Sequence, residues 1–449
     1  ERERERLCLS PAVSPMEFSE VLRQSLGQWS PDGQHIAAAA QNRMLVRKAD
    51  TLKLEQVFVC VDRVERIEWS PDSEFILTEV ARQGVVQVWS LRDSEWTCRI
   101  DEGLAGVAHA RWSPTSRHLL VSSDFELYLS VWALQDQNNV LSVQAPKFSD
   151  RGCAFSHDSS WLAVLRRCDC QDRLSIYDAE DAFRRLVDVP VAGDSADLAW
   201  NPDDSAVFVW ERPGRVSRCL IYSVAGEVLA EFGDFDLLRY ASPSPSCQLL
   251  AVFGLDGQVK LVSPTTQSVL ACLSHHLEEV SAESSEEVSL LEEFSGSLDE
   301  SGDKVSYKRL KDLKKALEER PSTGTDADGL PKQGVSLASW SPDERFLATK
   351  HESFPSAVWV WDLGLLKLAA LLKHRSPVRS FAWDPEARSR GSSARLAIST
   401  ADPVLLIWSP SGETYASSCP LSLSRLRWRC QGRSLLLQER DRACICWLG

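Results

Sequence analysis

The chain of 449 residues lacks the marks of several function classes. It has no surplus of basic residues: 50 Lys and Arg stand against 64 Asp and Glu, a net charge of −14. That excludes the basic stripe a nucleic-acid surface needs. It suits a protein whose partners are basic or of mixed charge. No apolar run is long enough to span a membrane; the most apolar stretch, Val358 to Leu372, is broken by Asp362 and Lys367. There is no Asn-x-Ser/Thr sequon and no signal-peptide pattern. The 13 cysteines are odd in number and scattered. They are expected to be reduced, buried small hydrophobes in a cytosolic protein.

Chemical motifs are missing as well. There is no Gly-rich phosphate loop, no His-Glu-x-x-His and no Gly-x-Ser-x-Gly elbow. Cys168-Asp-Cys170 and Cys444-Ile-Cys446 are Cys-x-Cys pairs, but zinc wants a second pair and none lies near either of them in sequence. In a strand, Cys444 and Cys446 face the same way, so core packing accounts for them. His275-His276 open a loop and read as solvated loop histidines. His351-Glu352 falls in an expected turn and receives no chemical role. No catalytic residue, no cofactor-binding residue and no metal ligand is assigned, and no cofactor is expected.

What the chain does have is a repeat. Gln28-Trp-Ser-Pro-Asp-Gly33 fits a type I β-turn: Ser first, Pro fixing φ, Asp third, Gly closing. Related forms stand at Trp69-Ser-Pro-Asp72, Trp112-Ser-Pro-Thr115, Phe155-Ser-His-Asp158, Trp200-Asn-Pro-Asp203, Ala241-Ser-Pro-Ser244, Trp340-Ser-Pro-Asp343 and Trp383-Asp-Pro-Glu386. Trp428-Arg-Cys-Gln431 is a worn last copy. The steps between the aromatic positions are 40, 43, 43, 45, 41, 99, 43 and 45 residues. A period of roughly 40–45 residues marks the blades of a β-propeller.

A second mark keeps phase. An apolar-aromatic pair follows most turns: Val88-Trp89, Val131-Trp132, Ile176-Tyr177, Ile221-Tyr222, Val360-Trp361, Ile407-Trp408 and Cys446-Trp447. Only Trp361-Asp362 spells the WD dipeptide, and no repeat carries Gly-His. These are degenerate WD repeats. The expected fold is all-β: a WD40-type β-propeller, a single ring of eight or nine blades with one long acidic insertion. The repeated aromatics are expected to fill space between neighbouring blades, and each turn Asp to cap its own backbone.

Strands are expected at Glu65 to Trp69, Phe75 to Val80, Val85 to Trp89 and Trp96 to Ile100 in the second unit. The fifth and sixth units repeat this with Ala206 to Trp210, Cys219 to Tyr222, Leu249 to Phe253 and Val259 to Val262. The last unit, Leu423 to Leu448, holds three strands at most. A strand near Phe18 to Arg23, within residues 16–24, is expected to pair with it and close the ring. The domain reading is therefore residues 1–15 as upstream sequence or a disordered tail, 16–274 as the first part of the propeller, 275–334 as the insertion and 335–449 as the closing part. The insertion holds 15 acidic and 8 basic residues, a net −7. It is expected to be a largely disordered, solvated arm. Within it, 307–320 reads as a short helix with a stripe of Leu310, Leu313 and Leu317, docking either on the propeller or on a partner.

Several segments go beyond generic WD repeats. Ile67-Glu-Trp-Ser-Pro-Asp-Ser-Glu-Phe-Ile-Leu77, Gly84-Val-Val-Gln-Val-Trp-Ser-Leu91 and Glu95-Trp-Thr-Cys-Arg-Ile-Asp-Glu-Gly103 resemble the WD repeat-containing protein 8 family. So do Met16-Glu-Phe-Ser-Glu-Val21, Ala357-Val-Trp-Val-Trp-Asp362 and Ser376-Pro-Val-Arg-Ser-Phe-Ala-Trp-Asp-Pro385. The resemblance runs from Met16 onward and is strongest at 65–113 and 340–385. It implies a non-enzymatic scaffold at the centrosome, centriolar satellites or spindle pole. Such a protein binds a coiled-coil anchoring protein, tethers microtubule minus ends, and supports spindle assembly and ciliogenesis. No catalytic or ligand residue comes with it. The runner-up reading is a propeller adaptor in translation initiation or in ubiquitin-ligase substrate recognition.

Overall fold

The computed structural model describes residues 16–136, 138–212, 217–235, 238–255, 257–263, 265–266, 268–276, 289–295, 305–309, 324, 333–388, 394–411 and 414–448. Among them nine antiparallel-cored sheets follow one another along the chain, and no α-helix occurs. Each sheet is a propeller blade, numbered here in chain order. The blades gather into two compact units, Leu26–Ser274 and His275–Gly449 with the N-terminal residues through Ser25. The first unit carries six four-stranded blades and the second carries three.

Blade 2 shows why these residues form these strands. Its strands are Arg66–Trp69, Phe75–Val80, Val85–Ser90 and Thr97–Asp101, in that spatial order. The two middle strands are buried on both faces, because a neighbouring sheet covers each side. They read as near-continuous apolar runs. The outer strand alternates, with Cys98 and Ile100 buried and Thr97, Arg99 and Asp101 exposed. Boundaries match the sequence expectation within one or two residues. Blades 5 and 6 match as closely, with Ala206–Glu211, Ser217–Ser223, Leu250–Gly254 and Gln258–Ser263.

The core lies between consecutive blades. Leu77, Val86 and Val88 of blade 2 pack on Ala110, Trp112, Leu119 and Val121 of blade 3. The same arrangement joins blades 4 and 5 through Ile176, Val187 and Trp200, and blades 7 and 8 through Val360, Phe381 and Trp383. Each fully buried side chain of this size contributes roughly 1.5–3 kcal/mol.

The repeated tryptophan also carries a hydrogen bond across five of the junctions. The indole nitrogen of Trp69 donates to the Gln28 carbonyl at 3.3 Å, Trp112 to Glu68 at 3.3 Å and Trp200 to Ala154 at 3.0 Å. Trp383 donates to Ser339 at 3.0 Å and Trp428 to Ala382 at 2.9 Å. Each acceptor lies on the innermost strand of the preceding blade, so one residue type both fills the junction and fixes its spacing.

The turns fold as their chemistry requires. Asp32 accepts from the Gln34 amide at 3.0 Å, Asp72 from Glu74 at 3.0 Å and Asp158 from Ser160 at 2.9 Å. The closing residue is left-handed: Gly33 has φ +70°, but Ser73 (+64°), Ser116 (+58°), Asp204 (+57°) and Glu344 (+59°) do the same without glycine. In blade 6 the turn begins at Ser244, whose amide donates to Leu249 and whose carbonyl accepts from Cys247. The expected turn at Ala241 to Ser244 is thus two residues early. Ser-Pro-Ser-Pro-Ser offers two registers, and a shift of two keeps every side chain on its own face.

At the N-terminus, Met16–Phe18 pairs antiparallel with Cys446–Leu448, and Leu22 bridges to Ala443. Blade 9 supplies Arg425–Trp428, Ser434–Gln438 and Ala443–Leu448, so the N-terminal strand is its fourth. That strand begins earlier and is shorter than expected. The insertion departs more. Ser289–Ser295 pairs in parallel with the outer strand of blade 7, Ser289 opposite Ala370 and Glu292 opposite Lys373. Val305–Arg309 then pairs antiparallel with it, so blade 7 has six strands. The disordered-arm reading fails for these two segments, because Ser-Leu-Leu-Glu-Glu-Phe-Ser finds an open sheet edge to complete. Tyr307–Arg309 are strand, not helix. The rest of the expected helix, with Leu310, Leu313 and Leu317, lies outside the described residues, as do residues 1–15.

A candidate protein-docking face

A blade of four antiparallel strands has two ends. The Ser-Pro-Asp turns join the first strand to the second at one end. The links from second to third strand, and from one blade to the next, emerge at the other. These two ends differ in chemistry.

At the turn end, blades are locked to one another by short side chains. The Asp32 amide of blade 1 donates to Ser73 of blade 2 at 3.0 Å, and the Asp72 amide donates to Ser116 of blade 3 at 3.1 Å. Asp204 of blade 5 accepts from the amides of His157 and Asp158 at 2.8 and 3.0 Å. A shallow cleft here, lined by Asp32, His35, Glu55, Gln56, Asp72 and Glu74, is acidic but already internally paired: His35 meets Glu55 at 3.0 Å and Arg92 meets Glu74.

Several buried polar groups stand between the ends, and each has a structural partner. In blade 7 the Thr349 hydroxyl meets His275 Nε2 at 2.8 Å and the Trp361 indole at 3.0 Å. His275 is 2% exposed. The solvated-loop reading of His275 is therefore corrected: the residue is the buried cap of a hydrogen-bonded chain through Thr349 to Trp361, 74 positions away at its first step. His351 is buried too, stacked on His275 with ring centres 5.4 Å apart. Burial, with the nearby charge of His276, lowers its pKa to about 4, so it stays neutral. Blade 3 solves the same position with a carboxylate. Glu102 accepts from Ser130 at 2.6 Å, the Trp132 indole at 3.0 Å and the Tyr128 hydroxyl at 2.9 Å. The variable cap explains why the Gly-His signature is missing although its job is done.

Lys147 is the centre of a second network. It is buried between Asp172 and Asp194 and also meets Ser195. Asp172 further accepts from the Ser195 amide at 2.8 Å and from Arg167 at 2.9 Å. Burial alone would raise the Asp172 pKa, but the hydrogen bonds from Lys147 and Ser195 outweigh it and hold the carboxyl below its ordinary value. Glu79 and Glu68, paired with Arg66 at 2.7 and 2.6 Å, shift the other way because burial dominates. Sequence reasoning missed these networks. Their members are common surface residues with no motif spacing.

Among the described residues no three His, Cys, Asp or Glu side chains gather as a metal site. Cys168 and Cys170 sit at a hairpin tip, Cys170 exposed. Cys444 and Cys446 are fully buried in the core of blades 8 and 9. No described helix is long and apolar enough to cross a membrane.

The loop end is built differently at blades 2 and 3. Three short loops, Ala81–Gln83, Gly103–Ala105 and Asp124–Glu126, adjoin there, the first two through their backbones and the third through the Asp124 side chain against Gly106. The Glu102 amide donates to the Gly84 carbonyl at 3.1 Å. A Cβ on Gly84 would lie 3.2 Å from the Gly103 carbonyl, and one on Gly106 would lie 2.1 Å from Asp124 Oδ2. Both glycines have positive φ, +64° and +65°. The result is a fixed platform rather than a set of free loops.

No family model matches the chain. It is 33% identical to WD repeat-containing protein WRAP73 of Mus musculus over 464 aligned residues, covering 96% of each chain. Among solved structures it is similar to the C-terminal WD40 domain of Sif2, with a TM-score of 0.53 and 12% identity, over 86% of this chain and 96% of that one. The latter likeness concerns the fold.

Proposed function

The chain belongs to the family of WD repeat-containing protein WRAP73, and on that premise we propose that it is a non-enzymatic scaffold of the centrosome or spindle pole. Its WD40 propeller fold is one that serves protein interaction. The single observation that carries the reading is the match of 96% of the chain to a WD-repeat relative, with no chemical motif left over. The finer assignment rests on the segments 65–113 and 340–385, which resemble WD repeat-containing protein 8. In this reading the blades hold a coiled-coil anchoring protein and through it tether microtubule minus ends. Spindle assembly and, in ciliated cells, ciliogenesis depend on that tether. The protein works in the cytoplasm, on the cytoskeleton.

Buried networks such as Lys147–Asp172 and His275–Thr349–Trp361 are consumed in holding the blades. Binding energy therefore comes from loops, concentrated in a few anchors. A tagged chain in dividing cells is expected at the spindle poles, and affinity purification is expected to return centrosomal proteins. A chain diffuse through mitosis that returns ribosomal subunits or ubiquitin-ligase components instead would sink the proposal.

A further inference from the structure

The platform at blades 2 and 3 exposes large apolar side chains. Leu104 is 110% exposed, Phe125 88% and Leu127 52%. Leu104 belongs to one of these loops and the other two to its neighbour. Phe125 and Glu126 both hold positive φ, +58° and +51°. A bulky aromatic in that region is a genuine outlier. Such strain persists only where the surroundings impose it, and the ends of this loop are tied by the Ser123 amide donating to the Tyr128 carbonyl at 3.0 Å.

The two loops that carry these apolar residues are acidic. Loop residues 101–106 and 124–127 include Asp101, Glu102, Asp124 and Glu126, and no Lys or Arg. Glu102 is spent on Tyr128, Ser130 and Trp132. Arg99 offsets Asp101 at 3.0 Å, and Arg82 in the third loop lies 3.6 Å from Glu65. Asp124 and Glu126 are left flanking Phe125 directly.

We infer that this platform is a docking site for a basic amphipathic segment of a partner protein, with apolar residues bordered by Lys or Arg. The inference rests on the scaffold reading above and names the chemistry of its partner. A rigid apolar anchor loses little entropy on binding, and aromatic anchors of this kind dominate interface energetics. The acidic loops steer a basic segment in and turn away an anionic lipid surface.

The test uses the full chain and two fluorescent amphipathic peptides of one pattern, one of Leu and Lys and one of Leu and Glu. Fluorescence anisotropy is expected to show the Leu/Lys peptide binding the unaltered chain. The double variant Leu104→Ser with Phe125→Asn should bind it at least about tenfold more weakly, since two anchors are lost. Asparagine tolerates positive φ, and both positions are exposed, so folding should be unchanged by circular dichroism. Glu126→Lys should weaken the same peptide and Leu/Glu should not bind. Equal binding by the double variant, equal binding of Leu/Glu, or capture of phosphatidylserine vesicles in place of peptide would each overturn the inference. None of those outcomes touches the spindle-pole localisation of the unaltered chain, so the two readings fail separately.

Discussion

Thr349→Val is the most direct probe of what holds blade 7 together. Valine keeps the shape and the β-branch, so strand preference is nearly unchanged. Only the hydroxyl goes. Thr349 is fully buried, and its oxygen serves the Trp361 indole at 3.0 Å and His275 Nε2 at 2.8 Å. Both nitrogens would be left without that partner in a dry site. An orphaned buried polar group costs roughly 1–3 kcal/mol, so the pair gives about 2–4 kcal/mol after the hydroxyl's own desolvation is recovered. Thr349→Ser keeps the oxygen and removes a methyl, for about 1 kcal/mol. Amide exchange on Phe346–His351 and Ala357–Asp362 reads the difference locally. Valine should speed it by roughly 30- to 900-fold, serine by about fivefold. Thr78→Val in blade 2 is the comparison: there the hydroxyl serves the Trp89 indole at 3.2 Å, and only a weak thiol at 3.9 Å takes the place of histidine. Its cost should be about 1–3 kcal/mol. Exchange in Thr349→Val equal to that of the unaltered chain, or serine harming the blade as much as valine does, would refute a role for the hydroxyl.

Gly106→Ala should lower the melting temperature more than Gly103→Ala. Both glycines have positive φ, but only the first would push its Cβ against Asp124, whereas the second opens on empty space. Gly103→Ala alone should cost about 1 kcal/mol. His351 has a folded-state pKa of about 4 against an ordinary 6.5, because it is buried, and His109 is lowered to about 4 by burial and by Arg66 and Arg111. The unfolded chain binds these protons first, so stability should fall as pH drops from 6.5 to 4. His351→Phe should flatten part of that slope in urea titrations at successive pH values. Deleting residues 16–24 removes the partner of Cys446–Leu448. Exchange should then quicken across Ala443–Leu448 while Phe75–Val80 stays protected; uniform protection would count against the strand's role.

The amino-acid sequence by itself determined what is local and repeated. Trp-Ser-Pro-Asp sets a turn within five residues, and a period near 43 residues sets the blades. The apolar runs between them admit only strands covered on both sides. The incomplete last unit and the spare N-terminal strand pointed to each other because an open edge has to be paired. Where two local registers were equal, as in Ser-Pro-Ser-Pro-Ser, the sequence had no basis for choice. The tertiary structure chose Ser244.

Only the tertiary structure decided what depends on distant partners. His275 looks like a loop histidine until Thr349 and Trp361 arrive beside it. Lys147 looks like a surface lysine until Asp172 and Asp194 close on it. Residues 289–295, within the acidic insertion, look unable to order until the outer edge of blade 7 offers them backbone hydrogen bonds. Phe125 looks like core, since a lone phenylalanine usually is; its loop, fixed by Gly106 and Asp124, puts it in water instead. For His275, Lys147 and residues 289–295 the residue's own preference is weak, and the deciding free energy belongs to a group far away in the chain.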